Sequence, residues 1–290
     1  MRRRLKTFAV IIVLPLTAVV FVRFFIQHPE VGKQLHNTSP GLLVLLLALY
    51  LLSIAALTFN TYATLLLCNL KVKTRENFLL TAYSAVINFF GPLQSGPAFR
   101  AVYLKKKYSL NLKNYATATL MYLAFWGIFS VMLLLSGLLK WWLLAVLALI
   151  ALGLAFASRL PQVSQRLAKL SVRHWYYLAL STALQIGCVV FIYYSELHSV
   201  APHTSFSQAV VYTGAANLAL YVSLTPGAIG FRESFLVFSR HLHHISNNTI
   251  VAANILDRAV YIILLLLLAA FIFASHAQQR LTAVTKQAKD

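Results

Sequence analysis

Six apolar runs dominate the chain, near residues 7–26, 41–69, 114–138, 139–158, 174–195 and 249–275. Each approaches or exceeds the ~20 residues that a helix needs to cross a ~30 Å hydrocarbon core. Backbone groups in lipid have to satisfy one another, so continuous apolar runs of this length read as spanning helices. Charged residues make up 11% of the chain, against about a quarter of an ordinary globular domain, and a soluble fold is excluded. The expectation is an all-α, polytopic helical membrane protein with no stretch long enough for a soluble catalytic domain. The opening MRRRLK and its apolar run resemble a signal sequence, but the run is of spanning length and no A-x-A-like cleavage site follows, so a retained first helix is expected. Cys68 and Cys188 lie inside apolar spans without C-x-x-C spacing and read as packing residues, not as a metal site or disulfide.

Twenty-five Lys and Arg against six acids give a net charge of +19, which in a soluble protein would suggest nucleic acid. Here the charges flank apolar runs, and no nucleic-acid partner is expected. Basic residues cluster in MRRRLK, in 71–75, in 100–113, in 159–173 and in the tail, whereas the loops left for the other side (27–40, the turn at Lys140 and 197–204) carry only Lys33 and Lys140. The positive-inside rule puts the five clusters, and with them both termini, on the cytoplasmic side of a multi-pass protein of the cytoplasmic (inner) membrane. Orientation accounts for these clusters; attraction to anionic headgroups, about 1 kcal/mol per residue, is the sharper alternative.

Two basic clusters on one side flank the mostly apolar segment 77–99, so that segment has to leave and return as a re-entrant hairpin. Its centre, NFFGPLQSGP, holds two prolines and two glycines, which break helical hydrogen bonds and allow a reversal. The same accounting makes 205–242 a hairpin from the outer side, broken at TPGAIG. About six spanning helices plus two re-entrant hairpins then form one transmembrane domain over 1–290, with 1–138 and 139–290 as halves of an inverted repeat. Interrupted hydrophobic segments at matching positions of two halves point to a transporter binding site.

Each break is followed closely by an arginine, and a charge at mid-membrane costs at least about 2.5–3.5 kcal/mol. Arg100, Arg232 and Glu233 should therefore face protein or water. The half-helix restarting at Phe231 or Arg232, and the one after Pro97 with Arg100 on its first turn, present N-termini that favour an anion. Asp257 and Arg258 are adjacent in the last span and point about 100° apart, so each should pair with another helix. Glu233 and Arg258 are the expected partners, leaving Arg100 and Arg232 to engage a phosphate. The run His241-Leu242-His243-His244 lacks an acid at zinc-site spacing. No nucleophile with a base, paired-carboxylate site or P-loop is present, so no catalytic residue, metal or cofactor is expected.

The segments NFFGPLQSGPAFRAVYLKKKYSL, TPGAIGFRESFLVF and NILDRAVYIILL, in this order, resemble the flippase-like membrane proteins related to the transmembrane half of lysylphosphatidylglycerol synthases. The resemblance implies an inner-membrane protein that flips or handles phospholipids or polyprenyl-phosphate lipids, and it carries the first motif onto Asn88, Gly96 and Arg100. It carries the P-G-x-x-G-x-x-E element onto Pro226, Gly227, Gly230 and Glu233, and the last-helix arginine onto Arg258. With Arg232 these are the candidate substrate-binding residues. Pro97-Ala98-Phe99 before Arg100 depart from the family pattern, and no aminoacyltransferase domain follows the membrane part, so lysyl transfer is not expected of this polypeptide. The leading expectation is a non-enzymatic lipid translocase for an anionic glycero- or polyprenyl-phospholipid headgroup. The alternatives are a non-catalytic subunit supporting a membrane enzyme of lipid or envelope synthesis, and a membrane-embedded lipid-modifying enzyme.

Overall fold

A computed structural model describes residues 38–90, 95–136, 172–221 and 231–287. The expected spans at 7–26 and 139–158, and the break residues Pro226, Gly227 and Gly230, lie outside the described residues. Every regular element among the described residues is a helix. In chain order these are α1 (Pro40–Leu67), α2 (Thr74–Phe90), α3 (Ser95–Tyr108), α4 (Leu112–Leu135), α5 (Val172–Val200), α6 (Phe206–Tyr221), α7 (Phe231–Phe238), α8 (Arg240–His243) and α9 (Asn247–Gln287).

Among the described residues, four helices are long and apolar enough to cross a membrane: α1, α4, Arg173–Val200 of α5 and Asn247–Ser275 of α9. By contrast, α2, α3 and α6 have 17, 14 and 16 residues and α7 has eight, short of the ~20 that a span requires. Local chemistry sets the ends. Ser39 caps α1 ahead of Pro40, accepting the Leu42 amide at 3.4 Å, and Asn111 caps α4 by accepting the Asn114 amide at 3.2 Å. After α1 the chain turns through Asn69 at φ 54°, a left-handed conformation that asparagine tolerates better than most residues.

Lipid tails are as apolar as leucine, so close backbone approach and polar contacts have to hold such helices together. Helix α6 shows the first device: Ala209, Gly214, Ala215, Ala216 and Ala219 are all buried. A Cβ on Gly214 would run into the backbone at Leu134 and Ser130, so only glycine permits this approach of α6 to α4. The second device joins α1 to α5, where the Asn60 amide donates to Ser181 Oγ at 3.2 Å and to Thr182 Oγ1 at 3.1 Å. Hydroxyls inside the bundle return to their own helix: Thr58 donates to the Ile54 carbonyl, Thr64 to Asn60 and Thr213 to Ala209, at 2.7–2.9 Å.

Helices α2 and α3 form a hairpin that packs on α1, α4 and α9; α6 and α7 form a second one that packs on α4, α5 and α9. Helix α9 packs against α2 and α4 against α6, while α1 and α5 pack against each other. The main apolar core, including Leu46, Ile54, Ile192, Tyr212, Leu256 and Val260, lies among these elements.

Candidate functional site

The α2–α3 hairpin is held at both ends. At its tip, the Gly96 amide donates to Asn88 Oδ1 at 3.3 Å and the Ser95 hydroxyl donates to the Ile87 carbonyl at 3.0 Å. A Cβ on Gly96 would sit 2.5 Å from the Ser84 carbonyl oxygen, so the two arms touch through a glycine. At its base, Glu76 Oε1 accepts from Lys107 at 2.6 Å and Tyr103 at 2.7 Å, and Oε2 accepts from Tyr108 at 2.9 Å. Burial opposes ionisation of Glu76, but these three hydrogen bonds outweigh it and hold its carboxyl below the ordinary value. The Glu76 bond first, and then a bond from Lys107 to the Tyr103 hydroxyl at 3.4 Å, hold the Lys107 ammonium above its own ordinary value against burial.

Arg100 lies on the second turn of α3, because the helix begins at Ser95 and takes Pro97 into its first turn. The expected first-turn position after Pro97 is thereby corrected; a ring that lacks an N–H fits the first turn of a helix. Arg100 is 9% exposed. One Nη donates to the Thr61 hydroxyl of α1, its Nε has no hydrogen-bond partner, and no carboxylate pairs with it among the described residues.

In the second hairpin, α7 sets Arg232 and Glu233 against α9. Two adjacent residues meet two adjacent residues with their charges crossed. Arg232 Nη1 donates to Asp257 Oδ2 at 2.7 Å, and Arg258 Nη2 donates to Glu233 Oε1. The Glu233–Arg258 pair is the expected one. Arg232 carries a counter-ion of its own: it is paired with Asp257 and stacked over Tyr193, its guanidinium carbon 5.1 Å from the ring centre. The reason is rotational, since the 100° between Asp257 and Arg258 turns one toward each neighbour on α7. Nε and Nη2 of Arg232 still lack partners.

A cavity of about 350 Å³ lies between the hairpins. Asn88 and Arg100 from the first hairpin, Arg232 from the second and Arg258 from α9 line it, so four of the expected site residues converge. Gly96 instead forms the α2–α3 contact, and Glu233 acts as the counter-ion of Arg258. Sequence reasoning missed several lining residues. Ser84 Oγ and both amide atoms of Asn217 are buried without hydrogen-bond partners on this wall. It also missed Tyr50, whose hydroxyl donates to Asp257 and lies 3.5 Å from Glu196 Oε1. Glu196 is 1% exposed, and its acidic type inside an apolar run was the available signal.

His243 leaves the histidine run for a structural post outside the spans: its Nε2 bonds the Leu236 carbonyl at 3.1 Å and its Nδ1 accepts the Ile245 amide at 3.2 Å. Burial pushes its pKa down to about 4, with His244 and His241 adding to the effect. Among the described residues no three His, Cys, Asp or Glu side chains group around a metal-sized site.

Short helix pairs that bring buried arginines to one cavity, among described elements that are all helical and include four of membrane-spanning length, define a class, the polytopic helical membrane protein with a polar cavity between its helices. The chain belongs to the family described as the lysylphosphatidylglycerol synthase TM region, which it matches over residues 7–269. No curated protein matches it significantly. Family membership ties the chain to phospholipid handling in a membrane.

Proposed function

We propose that the protein is a lipid translocase that carries a phospholipid headgroup across the cytoplasmic membrane through this cavity while the acyl tails stay in the bilayer. The observation that carries the proposal is Arg100: buried on the cavity wall, hydrogen-bonded only through a hydroxyl, with no acidic partner among the described residues. A buried cation without a counter-ion is costly, and a lipid phosphate would supply the missing charge through charge-assisted hydrogen bonds. The volume is at the low end of the about 300–1,000 Å³ typical of ligand pockets, enough for a headgroup and not for its chains.

The reading takes α2–α3 and α6–α7 as opposed re-entrant hairpins of an inverted repeat, with both termini cytoplasmic. The reciprocal support of each hairpin by the other half's long helix favours it, and alternate opening of the two sides around a fixed site would follow from such a repeat. Arg100 and its neighbours bind and orient, and no catalytic step is assigned to the chain.

Reconstitution into liposomes with fluorescent phospholipid, followed by chemical quenching of the outer leaflet, tests the proposal. Wild-type protein should bring inner-leaflet lipid to the quencher and Arg100→Ala should not. Equal movement in the two would remove Arg100 from the mechanism. No movement by pure protein that co-purifies with a lipid-synthesising enzyme would favour the accessory-subunit reading.

A further inference from the structure

Glu196 is the buried acid that the two crossed pairs leave out. It is 1% exposed, lies one turn from the end of α5, and has no Lys or Arg paired with it among the described residues. Tyr50 of α1, Asp257 of α9, Arg232 of α7 and Tyr212 of α6 face it, with Tyr193 beside it on α5. Tyr122 of α4 meets α5 away from it, at Gln185. Tyr50 stands between the two carboxylates: its hydroxyl donates to Asp257 Oδ1 and lies 3.5 Å from Glu196 Oε1. A phenol has one O–H proton, and its oxygen can accept another hydrogen bond. With that proton committed to Asp257, an ionised Glu196 would face the phenol oxygen with no proton between them. A protonated Glu196 instead donates to Tyr50 Oη, and only this form satisfies both contacts. Two carboxylates sharing a site retain a proton between them for the same reason.

The order Glu196, Tyr50, Asp257, Arg232 is a file along which one proton can pass. The O–H bond of Glu196 breaks as its proton goes to Tyr50 Oη, and the proton already on Tyr50 goes to Asp257 Oδ1. Glu196 ends as the carboxylate, Asp257 as the acid and Tyr50 unchanged. The 3.5 Å gap has to close to about 2.8 Å for the first hop. Neutralising Asp257 leaves Arg232 as a buried cation without its counter-ion; it is 7% exposed, and its Nε and Nη2 already lack hydrogen-bond partners beside the cavity. Such a cation is costly, so the hop is favourable when an anion arrives at Arg232, and proton and anion bind together by linkage. Glu196 then takes a replacement proton from bulk water; in the proposed orientation its end of α5 is the outer one. Resting on the translocase reading, we propose that Glu196, Tyr50 and Asp257 form a proton relay that couples entry of the lipid phosphate at Arg232 to uptake of one proton from the outer side.

The test is infrared spectroscopy of the full chain in detergent at neutral pH, before and after addition of dialkyl (ether-linked) phosphatidylglycerol, which has no ester carbonyl to mask a carboxylic-acid band. The chain has six Asp and Glu in all, so a single protonated carboxyl is resolvable. The lipid-free protein should show one carboxylic-acid band, and lipid that co-elutes with the protein should add a second, with one proton taken up per chain. Glu196→Gln should remove the first band and prevent the second. A wild type without an acid band overturns the relay, and bound lipid that adds no band overturns the coupling. Retention of the first band in a folded variant overturns the part given to Glu196, and the wild-type spectra stand even if the variant does not fold. Lipid that fails to co-elute counts against the translocase reading, while the lipid-free band still decides whether the relay holds its proton. Both bands without lipid movement in liposomes count against translocation alone, and lipid movement without the bands counts against the relay alone.

Discussion

At the residue scale, the crossed pairs tie each charge on α7 to a partner on α9. Asp257→Asn strands Arg232, whose side chain is 9% exposed, and should cost about 3–5 kcal/mol, the usual penalty for breaking a buried pair. Thermal unfolding in detergent reads this, and unchanged stability would contradict the pairing. Exchanging Glu233 and Arg258 for each other should recover part of what either single reversal loses. His243 gives a pH signature. Its pKa falls from 6.5 to about 4 on folding, so above about 6.5 neither state is protonated and its hydrogen bonds are intact. As pH falls from there toward 4 the unfolded chain takes up the proton first, and stability declines. His243→Gln should flatten that decline, and an unaltered pH profile would refute it. Arg100, Arg232, Glu233, Asp257 and Arg258 were legible in the sequence because charge in an apolar run is expensive wherever it occurs, and Glu196, visible by the same rule, was passed over. Partner choice was not legible, since it depends on the rotation of α9 about its axis. Ser84 and Asn217 were illegible because such residues are ordinary inside membrane helices, and only their missing partners single them out.

At the element scale, the breakers decide the architecture. Gly96 lets α3 reach the α2 backbone, and a methyl group there meets the Ser84 carbonyl at 2.5 Å. Gly96→Ala should therefore force the arms apart, cost about 1–3 kcal/mol as other overpacked contacts do, and displace Arg100 from the cavity. Loss of lipid retention with a lowered unfolding temperature is the expected result, and wild-type behaviour in both would show that the close contact is dispensable. Asn60→Ala, by removing the bridge from α1 to Ser181 and Thr182, should cost about 0.6–1.7 kcal/mol, as interhelical hydrogen bonds in membranes do. The four described spans were readable from apolar length alone, and the two shorter pairs from proline and glycine between charge clusters. The start of α3 was misjudged because a proline can either end a helix or sit in its first turn, and only packing tells which.

At the scale of the whole molecule, α9 packs on the first hairpin and α4 on the second, and both hairpins line the cavity. Charge placement sets the orientation, so a cysteine at position 108 should react with an impermeant maleimide from the cytoplasmic side and one at position 200 from the opposite side. The reverse pattern would overturn the topology. The proposed inverted repeat rests on charge asymmetry and on chain breakers at matching positions, not on sequence similarity between the halves. The central claim is that one cavity serves both membrane faces in turn. Ser53 lines it from α1, and Ser53→Cys in a background without Cys68 and Cys188 can be labelled in right-side-out and inside-out vesicles. The account predicts labelling from both sides, slowed in each case by added phospholipid. Labelling confined to one side under every condition would contradict it.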